Sequence, residues 1–189
     1  MAFLTRPQLN KFGFKHLGKN LKISPKASFH NTSNISIGDN SRIDDFCVLS
    51  AGSGGIWIGK NIHISVFASL IGKEKITVGD FSTISSRVSI YSSSDDYSGE
   101  YMTNPTVDPK FTNVTHGDVN IGKHVIVGSG SIILPNIILE DGVCVGALSL
   151  IKNNCKSFCI YGGIPAKFIK KRSRELLEKE IKFLKDQEL

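Results

Sequence analysis

No stretch of the chain is apolar for long enough to cross a membrane, and the opening MAFLTRPQLNKFGFKHLGKN holds no apolar run of signal-peptide length. A cytoplasmic protein without membrane insertion is expected. Cysteine is sparse. Cys47, Cys144, Cys155 and Cys159 form no CxxC pair and lack the spaced histidines of a zinc site, so structural, reduced thiols and no metal centre are expected. Basic residues are not interleaved with aromatics along a groove or recognition helix, which argues against nucleic acid as a partner despite a formal charge of +6. Much of that charge is local: Lys167, Lys170, Lys171, Arg172 and Arg174 crowd one stretch. Such a cluster is either a solvated face or an anchor for the phosphates of a nucleotide-like cofactor.

What remains is an ordinary globular composition, 40% hydrophobic and 21% charged over 189 residues, with 18 glycines. Its dominant feature is a repeat. From Ile121 an aliphatic residue stands at every sixth position, through Val127, Ile133, Leu139 and Val145 to Ile151. Gly122, Gly128 and Gly146 follow three of these directly, and small or aliphatic residues such as Ser131, Ile137, Val143 and Ser149 stand four places on. The step also joins Ile23, Phe29 and Ile35, Ile37 to Ile43, Ile58 to Ile64 and Leu70, and Val78 to Ile84 and Ile90.

A period of six matches neither an α-helix nor an uninterrupted strand. It describes a chain that turns a corner at every sixth residue. Three sides make a triangular coil of about eighteen residues, and stacked coils share one core. The expected fold is all-β: a parallel β-helix over residues 23–156, whose glycines suit the tight corners. Residues 91–118 break the step with a polar stretch that contains Pro105, Pro109 and three tyrosines, and read as a protruding functional loop. Residues 1–22 form an N-terminal cap, in which Thr5 to Phe14 predict a short helix over the first coil. In the 157–189 segment Ser173 predicts a helix start, with Leu177, Ile181 and Leu184 on one face and Glu175–Lys179 and Glu178–Lys182 as i,i+4 pairs. This helix is expected to cover the open end of the solenoid.

The stretch IGKHVIVGSGSIILPNIILEDGVCVGALSLIKN, followed by YGGIPAKFIKKR, resembles the hexapeptide-repeat acyltransferases. The likeness is to the galactoside and maltose O-acetyltransferase type and to the sugar acetyltransferases of surface-polysaccharide clusters. The resemblance implies a left-handed winding, a homotrimer with active sites between neighbouring prisms, and acetyl-CoA as acyl donor. It places Ser129 and Ala147 where backbone groups meet the pantetheine arm. It gives Lys167 and Lys170, with Lys152 nearby, the CoA phosphates.

Members of the family carry an Asn-His-Asp-like triplet in the long loop, where this chain has Ser94-Asp95-Asp96-Tyr97. Three readings stay open. His116, at the end of the loop, serves as the base; Asp95 or Asp96 serves; or the acceptor is a sugar amine, which attacks a thioester once neutral. Both a hydroxyl and the amine of a nucleotide-linked amino sugar are therefore candidates. Asp95 and Tyr97 are expected sugar contacts, and a backbone N–H near Gly128 and Ser129 is the expected oxyanion donor. Outside this class stand a metal-dependent lyase like the γ-type carbonic anhydrases, for which the spacing of His63, His116 and His124 is poor, and a non-catalytic scaffold.

Overall fold

A computed structural model describes residues 3–187. The chain is a parallel β-solenoid of three sheets that share one core. The first sheet stacks His16–Leu17, Ile35–Ile37, Ile56–Ile58, Ile76–Val78, Val119–Ile121 and Ile137–Leu139. The second runs from Lys22–Ile23 to Cys144–Val145, and the third from Ser28–His30 to Leu150–Ile151. Rungs align in register, so that Ile37, Ile58, Val78, Ile121 and Leu139 form one column inside the prism. The aliphatics of the six-residue step are buried almost completely, because they face the shared core, and the burial of each contributes about 1.5–3 kcal/mol. The first rung begins at His16, inside the stretch that reads as a cap.

The glycine after each inward aliphatic does not bend the corner by an unusual dihedral, as the sequence suggests. It lets adjacent turns approach: a methyl group on Gly79 would come within 2.6 Å of the Gly122 carbonyl carbon. The left-handed residue stands two places later, at Asn40, Asn61, Phe81 and His124 on one edge and at Phe46, Phe67, Arg87 and Leu148 on the next. A non-glycine residue there costs about 1–2 kcal/mol. Stacking on the same position one turn away offsets part of this. Phe46 lies flat on Phe67 at 5.1 Å, and Phe81 on His124 at 5.1 Å. Buried serines four places after the aliphatic staple the corners: Ser131 Oγ donates to Gly146 O (3.0 Å) and accepts from Ser149 N–H (3.1 Å).

Both termini close the prism differently from each other. A short helix, Arg6–Asn10, lies over the first turn, with Leu9 buried and the Arg6 guanidinium donating to Leu17 O and Gly18 O. The GIPAK-type segment is the turn of a β-hairpin, Cys159–Gly163 with Ala166–Lys171, whose first strand continues the second sheet. The C-terminal helix, Leu176–Gln187, does not cover the open end. It lies along an edge of the solenoid, where Glu180 meets His124 at 2.8 Å and Phe183 packs edge-on against Phe81. Ile181 and Leu184, expected on its buried face, are exposed. Among the described residues no helix is long and apolar enough to cross a membrane. Burial pushes the Cys47 thiol up to about 11 and the Cys155 thiol to about 12, so both stay protonated.

Candidate active site

The interrupting loop leaves the third sheet after Tyr91, which ends a strand rather than opening the loop. Its two ends pair antiparallel, Ser93 with His116 and Ser94 with Thr115, so the excursion is rooted on a small ribbon. Ser92 is buried beneath the ribbon and donates to Glu74 O. On the return, Gly117 N–H donates to Ser92 O at 3.0 Å. This rooting fixes the positions of Ser93, Asp95 and His116, although much of the loop between them is exposed.

Two hollows flank the ribbon. One, of about 560 Å³, has an apolar floor of Ile132, Leu134 and Leu150 on the third sheet, with Tyr91, Tyr97 and Asp95 around it. The other, of about 510 Å³, lies within the loop and is lined by Lys73, Asp95, Asn104 and His116, among others. Asp95 belongs to both. Among the described residues its carboxylate makes no hydrogen bond or ion pair. Asp96 behaves differently. Its carboxylate accepts from Ser98 N–H (3.2 Å) and Ser98 Oγ (2.5 Å), which holds it in a local turn and outside both hollows. Tyr97 is 91% exposed, a ring that nothing in this chain covers.

Ser129 and Ala147 occupy the same corner on successive turns, joined by Leu148 N–H to Ser129 O at 2.9 Å. They stand three residues before Ile132 and Leu150, so the expected pantetheine corner borders the apolar hollow. Gly128 N–H, expected as an oxyanion donor, instead donates to Val145 O at 2.8 Å, which takes it out of that role. Lys167 and Lys170 lie exposed on the second strand of the C-terminal hairpin, across from Gly162 and Ile160. Lys152 is exposed just past the last rung. The three histidines a metal-dependent lyase would use are held apart, His63 on Asp44, His124 on Glu180 and His116 on Ser93.

The sequence reading passed over Lys73, Ser93 and the apolar floor. Ile132 and Leu150 are legible after the fact, because they precede the inward Ile133 and Ile151 and so must face outward. An apolar side chain at such a position marks a surface that something else covers.

No protein-family model matches the chain. It is 57% identical over 183 residues to the dTDP-4-amino-4,6-dideoxy-D-glucose acyltransferase of Escherichia coli, covering 97% of this chain and 95% of the relative. The N-acyltransferase AntD of Bacillus cereus, a serine variant solved with dTDP-4-amino-4,6-dideoxyglucose and coenzyme A, superposes with a TM-score of 0.95 at 44% identity over 98% of each chain. AntD is also known in complex with dTDP and 3-hydroxybutyryl-CoA. A maltose O-acetyltransferase from Clostridium difficile 630 shares the fold, with a TM-score of 0.55 at 21% identity over 89% of this chain and 75% of its own. A relative this similar along nearly the whole of both chains makes the protein a member of the hexapeptide-repeat, left-handed β-helix acyltransferases, an enzyme whose acyl donor is an acyl-coenzyme A.

Proposed function

We propose that the enzyme transfers an acyl group from acetyl-CoA, or a similarly short acyl-CoA, to the amine of a nucleotide-linked amino sugar. The observation that carries this reading is Asp95, an unpartnered carboxylate on the boundary between an apolar hollow and a polar one. The apolar side suits the acyl-pantetheine arm, running on past Ser129 and Ala147 toward Lys152, Lys167 and Lys170, which would hold the CoA phosphates. The polar side suits the sugar. The substrate named for the Escherichia coli relative, and the ligand bound to AntD, support a dTDP-linked 4-amino-6-deoxy sugar as the acceptor.

The chemistry fits a site whose loop carries no Asn-His-Asp-like triplet. An amine with a free lone pair attacks the thioester carbonyl unaided. Asp95 orients it by accepting one N–H and takes a proton as the tetrahedral intermediate forms. The C–S bond then breaks, the amide is complete, and the departing thiolate becomes the free thiol of CoA by taking up a proton. Ser129 N–H is the coil donor left to the oxyanion, and Tyr97 offers a face to the sugar ring.

The enzyme acts as a homotrimer in this reading, with a neighbouring prism covering the exposed Tyr97 and the outward Ile132. It works in the cytoplasm, supplying an acylated sugar for surface-polysaccharide synthesis. The test is turnover of purified protein with acetyl-CoA and a panel of dTDP-linked and free sugars with and without an amine, followed by thiol release and product mass. Acylation of an amino sugar supports the reading. Thiol release only with sugars that lack an amine overturns it.

A further inference from the structure

The hollow inside the loop holds donors that acyl transfer itself does not use. Lys73 lies one turn below the loop, is exposed, and has no carboxylate within ion-pair reach among the described residues. Its backbone N–H donates to Ser93 Oγ at 3.0 Å, and Ser93 Oγ lies 2.8 Å from His116 Nδ1. Asn104 lines the same hollow. Its Oδ1 accepts from Thr106 N–H (3.0 Å) and Thr106 Oγ1 (2.6 Å), which leaves its amide hydrogens for a ligand.

The direction of the Ser93–His116 bond decides what His116 offers. A hydroxyl has one proton to give. The Lys73 N–H occupies one acceptor site on the oxygen, and the proton of Ser93 is free to go to His116 Nδ1, the ring nitrogen it faces. The neutral imidazole then carries its own hydrogen on Nε2, where it is a donor with no lone pair to take a proton. A base at Nε2 requires the opposite tautomer, with Nδ1–H donating to Ser93.

We propose that Lys73 and His116 form the phosphate subsite of the acceptor, with Ser93 as the positioning residue that holds the imidazole as an Nε2–H donor. The inference rests on the nucleotide-sugar reading above and extends it. One hollow is lined by an ammonium at Lys73, an imidazole at His116, an amide at Asn104 and a carboxylate at Asp95. That set of groups suits a molecule that carries both an anion and an amine, as a nucleoside diphosphate linked to an amino sugar does. The volume of about 510 Å³ lies in the range of small-molecule sites.

The experiment measures direct binding of dTDP by calorimetry, alongside steady-state kinetics, for the wild type and for K73A, K73Q, H116A, H116Q and H116N. Glutamine places an N–H near the Nε2 position and cannot act as a base. Loss of a charge-assisted contact is expected to weaken dTDP binding about tenfold in K73A, K73Q and H116A. KM for the sugar rises in step, kcat falls less, and CoA affinity holds. H116Q recovers most of the dTDP affinity and H116N does not. Inorganic pyrophosphate competes with dTDP on the wild type and loses that effect in K73A. Equal dTDP affinity in all variants overturns the subsite. A large kcat loss shared by H116A and H116Q with dTDP binding intact overturns the donor role and makes His116 the base. A wild type that acylates amines but does not bind dTDP defeats the nucleotide-sugar reading itself, a result distinct from either.

Discussion

Gly128 lies so close beneath Ala147 that a methyl group on it would come within 2.5 Å of the Ala147 amide nitrogen. The two residues belong to adjacent turns at the corner that borders the apolar hollow, so the spacing of the solenoid and the shape of the proposed CoA path depend on the same contact. G128A is therefore expected to lower stability by about 1–3 kcal/mol, as overpacking does. It should also weaken CoA binding, because the corner must open to admit the methyl. Thermal melts and CoA titrations check this together. A variant that melts like wild type and binds CoA equally well removes the contact from the site.

Asp95 and Asp96 are adjacent in sequence and differ in circumstance. The Asp96 carboxylate is held by Ser98, and that of Asp95 faces both hollows. D95N is expected to lower kcat/KM about a hundredfold with little change in melting temperature, the size typical of a lost proton acceptor. D96N should disturb the loop turn and leave most of the turnover. Equal losses in the two variants would show that the turn matters and the Asp95 carboxylate does not.

Asp44 is nearly buried and joins two side chains, Arg42 through Nε at 2.6 Å and His63 through Nε2 at 2.8 Å. Burial pushes its carboxyl up, but the bonds from His63 and Arg42 outweigh it and hold the group below its ordinary value of 3.8. A folded-state pKa below the unfolded one means stability that is present above pH 4 and lost as the pH falls through the folded value. Stability against urea should accordingly fall below about pH 4 in the wild type, and less so in D44N. At neutral pH D44N is expected to cost about 1–3 kcal/mol, because Arg42 and His63 lose their acceptor. An identical acid profile in D44N would place the sensitivity elsewhere.

The C-terminal helix is held by few contacts, chiefly Glu180 on His124, Phe183 on Phe81, and the Arg172 guanidinium on His124 O (2.7 Å) and Gly142 O (3.0 Å) just before it. F183A and R172A should each speed amide exchange across residues 176–187 while the rungs keep their protection. Faster exchange in the rungs as well would mean that the helix supports the whole prism.

The solenoid was legible because its cause repeats: every side of a coil turns an aliphatic residue inward at the same place, and Ile121 to Ile151 spell that out without a slip. The corners were misread at the level of mechanism. A glycine directly after the aliphatic looks like a turn residue, whereas the left-handed dihedral falls two places later on residues such as Phe81 and His124, which stacking makes tolerable. The helix face was misassigned because Leu177, Ile181 and Leu184 form the regular apolar stripe. The edge it meets, however, offers an imidazole and an aromatic ring, which select Glu180 and Phe183. Of the site, the loop and Asp95 could be named from sequence. Lys73 could not, since its tie to Ser93 exists only once the turns are stacked.

The most direct measurement is the chemical nature of the product formed from dTDP-4-amino-4,6-dideoxyglucose and acetyl-CoA. The expected product gains one acetyl group per CoA thiol released and survives hydroxylamine, as an amide does. A product that hydroxylamine cleaves back to the starting sugar would be an ester, and would contradict transfer to the amine.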